Sequence, residues 1–288
     1  MNVSVVMTTY NNANTCISTV ASVLGQVDVD LELIVVDDCS NDFDILEKNL
    51  LNLNDSRIKI YKMHKNSGAP AARNYGAYMS SFDILCFLDS DDIWKNNKLK
   101  EQSLLYKKKS LVFTKMSVVY DDNMGSEIFV RSEYDKNKSV VENLFGELSH
   151  NLILQTSSLM IGRDDFLNSK QFDKSLKRHQ DYQFVLDLYT DGFEFIFVDK
   201  ILVNYVKSKS SNIGKKGWDI NVSTVFLNKF KDVFTKELLS NFLIVQLLGP
   251  SIKTRKILSW LKFSVECNCL SFKFFTDVLK YLSKRITS

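Results

Sequence analysis

The first ninety or so residues alternate short unbroken apolar runs with longer segments whose apolar positions recur every three or four residues. Val3 to Met7 is a continuous, largely β-branched run closed by Thr8, Thr9, Tyr10 and Asn11, the pattern of a strand covered on both faces. Asn14 or Thr15 predicts the cap of a helix reaching about Leu24, and Leu31 to Val36 a second buried strand that ends on Asp37 and Asp38. Ser40 or Asn41 predicts the next helix start, Arg57 to Tyr61 a third strand, and Pro70, tolerated in a first turn, a helix to about Met79. Ile84 to Leu88 is the fourth strand and runs into Asp89-Ser90-Asp91-Asp92. Strands and helices in alternation with short connections predict an α/β fold on an open, mostly parallel, Rossmann-like sheet flanked by helices. Ligands of such sheets collect outside the carboxyl ends of the strands, which is where Thr9 and Tyr10, Asp37 and Asp38, and Asp89 to Asp92 recur.

Beyond Ser110 the pattern changes. Leu111 to Tyr120 reads as one or two strands, Asp121 to Gly125 as a turn, and Glu127 to Val130 as a returning strand. Lys136 to Ser158 is polar and aperiodic, and Asp181 to Tyr189 has helical spacing. Phe193 to Val198 and Ile201 to Val206 are expected to pair around Asp199-Lys200, Lys207 to Gly217 to form a loop, and everything from Asp219 onward to be helical with a break at Gly249-Pro250. The expected division is a domain over residues 1–218, with halves meeting near residue 110, followed by a helical region over 219–288.

Composition removes several classes of function. With 288 residues, 45% hydrophobic and 25% charged, the chain is neither disordered nor collagen-like nor dependent on disulfides. Five scattered cysteines fit buried thiols in a reducing compartment. A net charge of +3 does not indicate nucleic-acid binding, but residues 251–288 hold eight basic and two acidic residues. Trp260, Leu261, Phe263, Phe272, Phe274, Phe275, Leu279, Tyr281 and Leu282 are interleaved with those charges. Two readings of the tail stand side by side: an amphipathic segment on an anionic membrane surface, or helices packing their aromatics inward. Met1 is not followed by a basic stretch and a long apolar core, and the run Phe242 to Leu248 is far shorter than the ~20 residues of a spanning helix. The expected location is cytoplasmic, with peripheral attachment to the inner face of the membrane as an option.

Three carboxylates around one serine at a strand end repel one another unless a positive charge sits among them. Mg²⁺ or Mn²⁺, held by one or two carboxylates with a diphosphate completing the shell, is the expected partner. Neither GxGxxG nor GxxxxGK[ST] is present, so phosphates need another hold, and Arg73 with help from Lys65 is the candidate. His64 and His150 have no companions at ligand spacing.

These segments carry a resemblance. VSVVMTTYN from Val3, LIVVDDCS at Leu33 to Ser40, NSGAPAARNYGA at Asn66 to Ala77, CFLDSDD at Cys86 to Asp92 and RHQDYQF at Arg178 to Phe184 resemble the successive motifs of family 2 glycosyltransferases, inverting enzymes of the GT-A fold. The resemblance covers roughly residues 1–210. It implies that residues 1–110 bind a UDP-sugar donor and 111–218 the acceptor. Thr9 and Tyr10 would line the nucleotide pocket together with Ser90. Asp38, with Asp37 as second choice, would recognise uracil, Arg73 would approach the base or diphosphate, and Asp89 the ribose or sugar. Asp91 would ligate the metal, and Asp181 would be the general base. Gln155 and Thr156, Arg178 and His179, and Lys207 and Lys209 are the further candidates for acceptor or loop contacts.

Two departures stand out. Family members often carry Glu before the base, where this chain has Gln180, and an Arg or His in the loop after the Tyr205 strand, where this chain has lysines. The implied reaction is metal-dependent transfer of a hexose or N-acetylhexosamine to a growing, lipid-linked bacterial surface glycan (capsule, O-antigen or lipooligosaccharide). A nucleotidyl or phosphotransferase using the same metal cluster, and a non-catalytic glycan- or membrane-binding module, are the alternatives.

Overall fold

The computed structural model describes residues 1–120, 133–148, 152, 154–207 and 220–287. The expected turn and strand over 121–130 and the loop carrying Lys209 and Lys215 lie outside the described residues. The chain divides into two compact units, one of Met1–Val130 with Leu154–Ser208 and one of Arg131–Ile153 with Lys209–Ser288.

The first unit is an eight-stranded α/β layer structure. Its elements run β1 (Asn2–Thr9), α1 (Cys16–Leu24), β2 (Asp30–Asp37), α2 (Phe43–Leu51), β3 (Ile58–Lys62), α3 (Ala69–Met79), β4 (Ile84–Asp89), β5 (Ile93–Trp94), α4 (Lys98–Ser103) and β6 (Ser110–Tyr120). After α5 (Val140–Phe145), which belongs to the second unit, come a 3-10 turn (Thr156–Ser158), β7 (Met160–Gly162), α6 (Arg163–Leu167), α7 (Gln180–Thr190) and β8 (Glu194–Lys207). The strand order is β3-β2-β1-β4-β7-β6-β8-β5. β3, β2, β1 and β4 are mutually parallel, as their unbroken apolar runs predict, and β7 enters antiparallel between β4 and β6. Every residue of β1 after Asn2 is buried, so both faces are covered.

Helix α3 approaches the sheet closely because its inner face is Pro70, Ala71, Ala72, Arg73, Gly76 and Ala77. A Cβ on Gly76 would lie 2.4 Å from Val6 Cγ1. Gly76→Ala is therefore expected to destabilise by about 1–3 kcal/mol through overpacking, read as a lower denaturation midpoint with an unchanged slope.

Three local details differ from the local sequence pattern. The N-cap position of α2 falls on Asp42, whose side chain accepts from the Ala13 N–H, rather than on Ser40 or Asn41, because the Ser40 hydroxyl and N–H turn back onto Asp37. Helix α4 begins only at Lys98, since Ile93 and Trp94 first pair with Asn204 and Val203 as a sheet edge. The hairpin around Asp199-Lys200 does not form. Both halves instead run as one strand, β8, parallel to β6, with a register shift after Thr114. Thr114 Oγ1 donates to the Lys200 carbonyl at 2.6 Å, Lys115 pairs with Asp199, and Lys200 Nζ lies 2.7 Å from Glu101, so the two polar residues are absorbed as a bulge.

The second unit is helical: α5, then α8 (Ile220–Lys229), α9 (Lys236–Phe242), a π-helical stretch (Leu243–Leu248), α10 (Gly249–Lys253), α11 (Ile257–Glu266) and α12 (Phe272–Thr287). Phe145, Phe226, Phe234 and Phe242 form its aromatic centre, with Phe226 and Phe242 stacked at 5.6 Å. Gly249-Pro250 does not break the chain's helical course. Pro250 sits in the first turn of α10, where a missing N–H is tolerated, and the break falls at Arg255, whose φ is +58°. Ser139 and Glu142 form a capping box for α5, an element the aperiodic Lys136 to Ser158 stretch did not announce.

Candidate active site

The carboxyl ends of β1, β2 and β4 bring the polar clusters to one edge of the sheet. Asp37 is fully buried, and both its oxygens accept from Ser40. Asp38, also buried, accepts from the N–H groups of Ser67 and Gly68, each at 2.8 Å. It thereby shapes the loop that enters α3, whose Gly68 has a φ of +85°. Each Asp38 oxygen retains a further acceptor direction. Tyr10 is half exposed, whereas Thr9 is buried. Lys65 lies exposed beyond the loop.

Arg73 is the electrostatic centre. Its guanidinium lies 2.6 Å from Asp89 and donates to Gln180 Oε1 at 3.3 Å, so it joins the end of β4 to the start of α7. Burial on its own would lower the Arg73 pKa, but the negative charges of Asp89, Asp181 and Asp92 outweigh it and raise the value. Gln180 takes a place where a Glu would add a third carboxylate, and its amide also donates to the Leu176 carbonyl at 2.8 Å.

The acids after β4 have separate surroundings. Ser90 is held by Asn12 Nδ2 at 2.9 Å and by Thr19 Oγ1 at 3.0 Å, which ties the strand end to α1. Asp91 is open to solvent yet crowded by protein, and desolvation, with Asp89 second, pushes its carboxyl up to about 6. Asp92 is fully buried, accepting from Ser157 Oγ at 2.5 Å and from the Val206 N–H at 3.1 Å, and burial raises its pKa well above the carboxylate range.

Asp181 stands in the first turn of α7 and accepts from Thr156 Oγ1. Burial, then opposition from Arg73 and support from Asp89, leaves its pKa raised. His179 occupies the N-cap position with φ +63°, and burial, with Arg178 second, lowers its pKa to about 3, so it is neutral at pH 7. Arg178 is exposed, and Lys207 is the last residue of β8.

The turn Thr156–Ser158 links the two sides, and no local pattern in the sequence marks it. Thr156 reaches Asp181, while Ser157 Oγ holds Asp92 and accepts from the Asp89 N–H at 3.1 Å. From behind, Trp94 Nε1 donates to the Ser157 carbonyl at 2.9 Å and Gln102 Nε2 to the Ser158 carbonyl at 2.8 Å. Tyr205, hydrogen-bonded with Gln155, also faces the acidic cluster. Asp92 and Tyr205 belong to this cluster without having been given a role by the sequence, and Ser157, expected only as part of the polar run Gln155 to Ser158 along the acceptor groove, is found holding Asp92. Their partners lie 63 to 114 residues away, a separation that carries no local signal.

The sequence profile described as Glycosyl transferase family 2 matches residues 4–171. The chain belongs to glycosyl transferase family 2. This family 2 glycosyltransferase is 27% identical over 243 residues to the amylovoran biosynthesis glycosyltransferase AmsB of Erwinia amylovora, covering 81% of the present chain and 79% of AmsB. It is 30% identical over 227 residues to the putative teichuronic acid biosynthesis glycosyltransferase TuaG of Bacillus subtilis, covering 75% and 85%. Among solved structures, S. aureus TarS 1-349 in complex with UDP-GlcNAc superposes with a TM-score of 0.62 at 18% identity, over 99% of the glycosyltransferase chain and 80% of TarS 1-349. The chain spans 44% of a longer TarS chain. The match of fold agrees with the α/β sheet and its helical extension, that is, with a GT-A-like architecture.

Two features of the site suit a nucleotide and a divalent cation. Thr9 Oγ1 and Arg73 Nε are buried without a hydrogen-bond partner among the described residues, at the edge where the polar clusters meet. Asp91 supplies a hard oxygen, and its carboxyl is pushed up first by desolvation and then by the neighbouring charge of Asp89. Among the described residues no three His, Cys, Asp or Glu side chains converge as a protein-only cage. One or two carboxylates completed by substrate phosphates is the arrangement Mg²⁺ commonly takes.

Proposed function

We propose that the protein transfers a hexose or N-acetylhexosamine from a UDP-sugar to a hydroxyl of a growing, lipid-linked surface glycan, with inversion by single displacement. The observation that carries this reading is the convergence, through the Arg73 guanidinium and the turn Thr156–Ser158, of the strand-end acids Asp89 and Asp92 with the raised-pKa carboxylate of Asp181, beside an Asp91 that stays open to solvent. In this reading Thr9, Tyr10 and Ser90 line the nucleotide pocket, and Asp38 offers its remaining acceptor directions to the uracil. Asp37 braces Asp38's strand end through Ser40. Arg73 and Asp89 orient the donor, and Asp91 holds Mn²⁺ or Mg²⁺. The bound cation supplies charge stabilisation at the departing diphosphate. Asp181 takes the proton from the acceptor hydroxyl, in a site where Thr156 fixes its rotamer and Arg73 limits how far its pKa rises. Gln155, Arg178, His179, Lys207 and Lys209 are proposed to border the acceptor or the diphosphate.

The donor class is supported by the TarS complex with UDP-GlcNAc and the acceptor class by the polysaccharide assignments of AmsB and TuaG. The test is donor hydrolysis by the purified protein with UDP-glucose, UDP-galactose and their N-acetylamino counterparts, with Mn²⁺ and with chelator. Metal-dependent release of UDP from one donor is expected. Release of UMP and sugar 1-phosphate instead, from cleavage of the diphosphate bridge, would identify a nucleotidyl- or phosphotransferase, and absence of both release and nucleotide binding would sink the UDP assignment.

A further inference from the structure

The helical unit presents apolar side chains that its core does not use. On α12, Phe272 is 87% exposed and Leu279 67%, and Phe275 is exposed as well. At 100° per residue these three positions fall within about 60° of arc. Phe274 points elsewhere and is buried, stacked on Trp260 at 5.6 Å, while Trp260 Nε1 donates to the Leu243 carbonyl at 2.9 Å. On α11, Leu258 (78% exposed) and Val265 share a stripe with exposed Lys262, and Trp260 and Phe263 turn inward. The aromatics of the tail therefore divide: one set builds the unit's core and another faces solvent.

The exposed set is accompanied by positive charge. Lys253, Arg255, Lys256, Lys262, Lys273 and Lys280 are all exposed; Lys273 is paired with Glu237 at 2.6 Å and Lys280 lies 3.4 Å from Asp277, and the only other acid of residues 251–288 is Glu266. Helix faces that expose apolar side chains with basic residues on the same helices match a bilayer interface bearing acidic headgroups. Phenylalanine and leucine side chains enter the acyl boundary while lysine stems lie along it with their ammonium groups at the phosphates. Among the described residues no helix is long and apolar enough to cross a membrane, so such an attachment lies on the surface.

We propose that the exposed faces of α11 and α12 dock this protein on an anionic lipid bilayer. The inference is independent of the donor and of the reaction. Its test is co-sedimentation of the full chain with vesicles of phosphatidylglycerol and phosphatidylcholine against vesicles of phosphatidylcholine alone. Binding to the acidic vesicles, weakened by salt, is expected. The variant Phe272→Ser/Phe275→Ser/Leu279→Ser should lose about tenfold or more in partitioning. Lys256→Gln/Lys262→Gln should lose about tenfold through charge alone, and its conservative surface changes keep the test decisive if the triple variant fails to fold. Far-UV circular dichroism and melting of each variant establish that the fold is kept. No binding to acidic vesicles, equal binding to both kinds, or binding indifferent to the lysine variant would overturn the proposal. So would a concentration-dependent dimer that the triple variant abolishes, since a second copy would then cover this face.

Discussion

Asp181→Asn is expected to lower the rate of sugar transfer by roughly a hundred- to ten-thousandfold, the range removed with a general base, while leaving nucleotide affinity unchanged. The substitution keeps the size of the side chain and an oxygen for Thr156 Oγ1 to donate to, so the geometry of the turn survives and the missing element is basicity. The pH profile separates this from a structural defect. Burial is the main reason the Asp181 pKa is raised, with Asp89 adding to it and Arg73 and Thr156 opposing. A base acts deprotonated, so activity must fall as pH drops through that raised value, and the acid limb of kcat should lie above the ordinary carboxylate range. The Asn variant should lose that limb. Measuring kcat against pH alongside calorimetric titration of UDP reads both effects, and a variant whose UDP affinity collapsed with its rate would remove Asp181 from the role of base.

For Asp91→Asn the expected result is of similar size but lies at a different step. UDP binding should lose its enhancement by Mn²⁺, and donor hydrolysis should fall about a hundredfold or more, to the level of the parent protein in chelator. Asp91 is the solvent-reachable acid of the cluster, while Asp92 is committed to Ser157 and Val206 and Asp89 to Arg73. Protons and the cation compete for the same oxygens, so metal-assisted UDP binding should weaken in the parent as pH falls below about 6. An Asn variant with undiminished Mn²⁺ dependence would move the metal to another residue.

The parallel half of the sheet was legible because strands buried on both faces write themselves as unbroken apolar runs, and β1, β2 and β4 do so. The strand ends that carry Thr9, Asp38 and Asp89 followed from them, as did the place of α3 and Arg73. The C-terminal half of the sheet was less legible. Asp199-Lys200 has the composition of a turn, and only the parallel partner β6, with Thr114, Lys115 and the facing Glu101, makes it a bulge. The roles of Thr156 and Ser157 were hidden for a related reason. A short polar run has no period, and its meaning comes from Asp181 and Asp92, which lie 25 and 65 residues away. Local pattern records what a segment buries; it does not record which distant carboxylate a hydroxyl will meet.

The placement of Thr156 and Ser157 bears on how such enzymes can be recombined. One three-residue turn grips both Asp92 and Asp181, and Trp94 and Gln102 hold it from the part of the chain before residue 110. A chimaera spliced near residue 110 would inherit its grip from one parent and the carboxylates it must hold from two. Exchange of the segments after residue 110 between relatives should therefore succeed only where the residues matching Trp94, Gln102 and Ser157 agree in both parents, which makes this turn a compatibility test for grafting new specificities onto the scaffold.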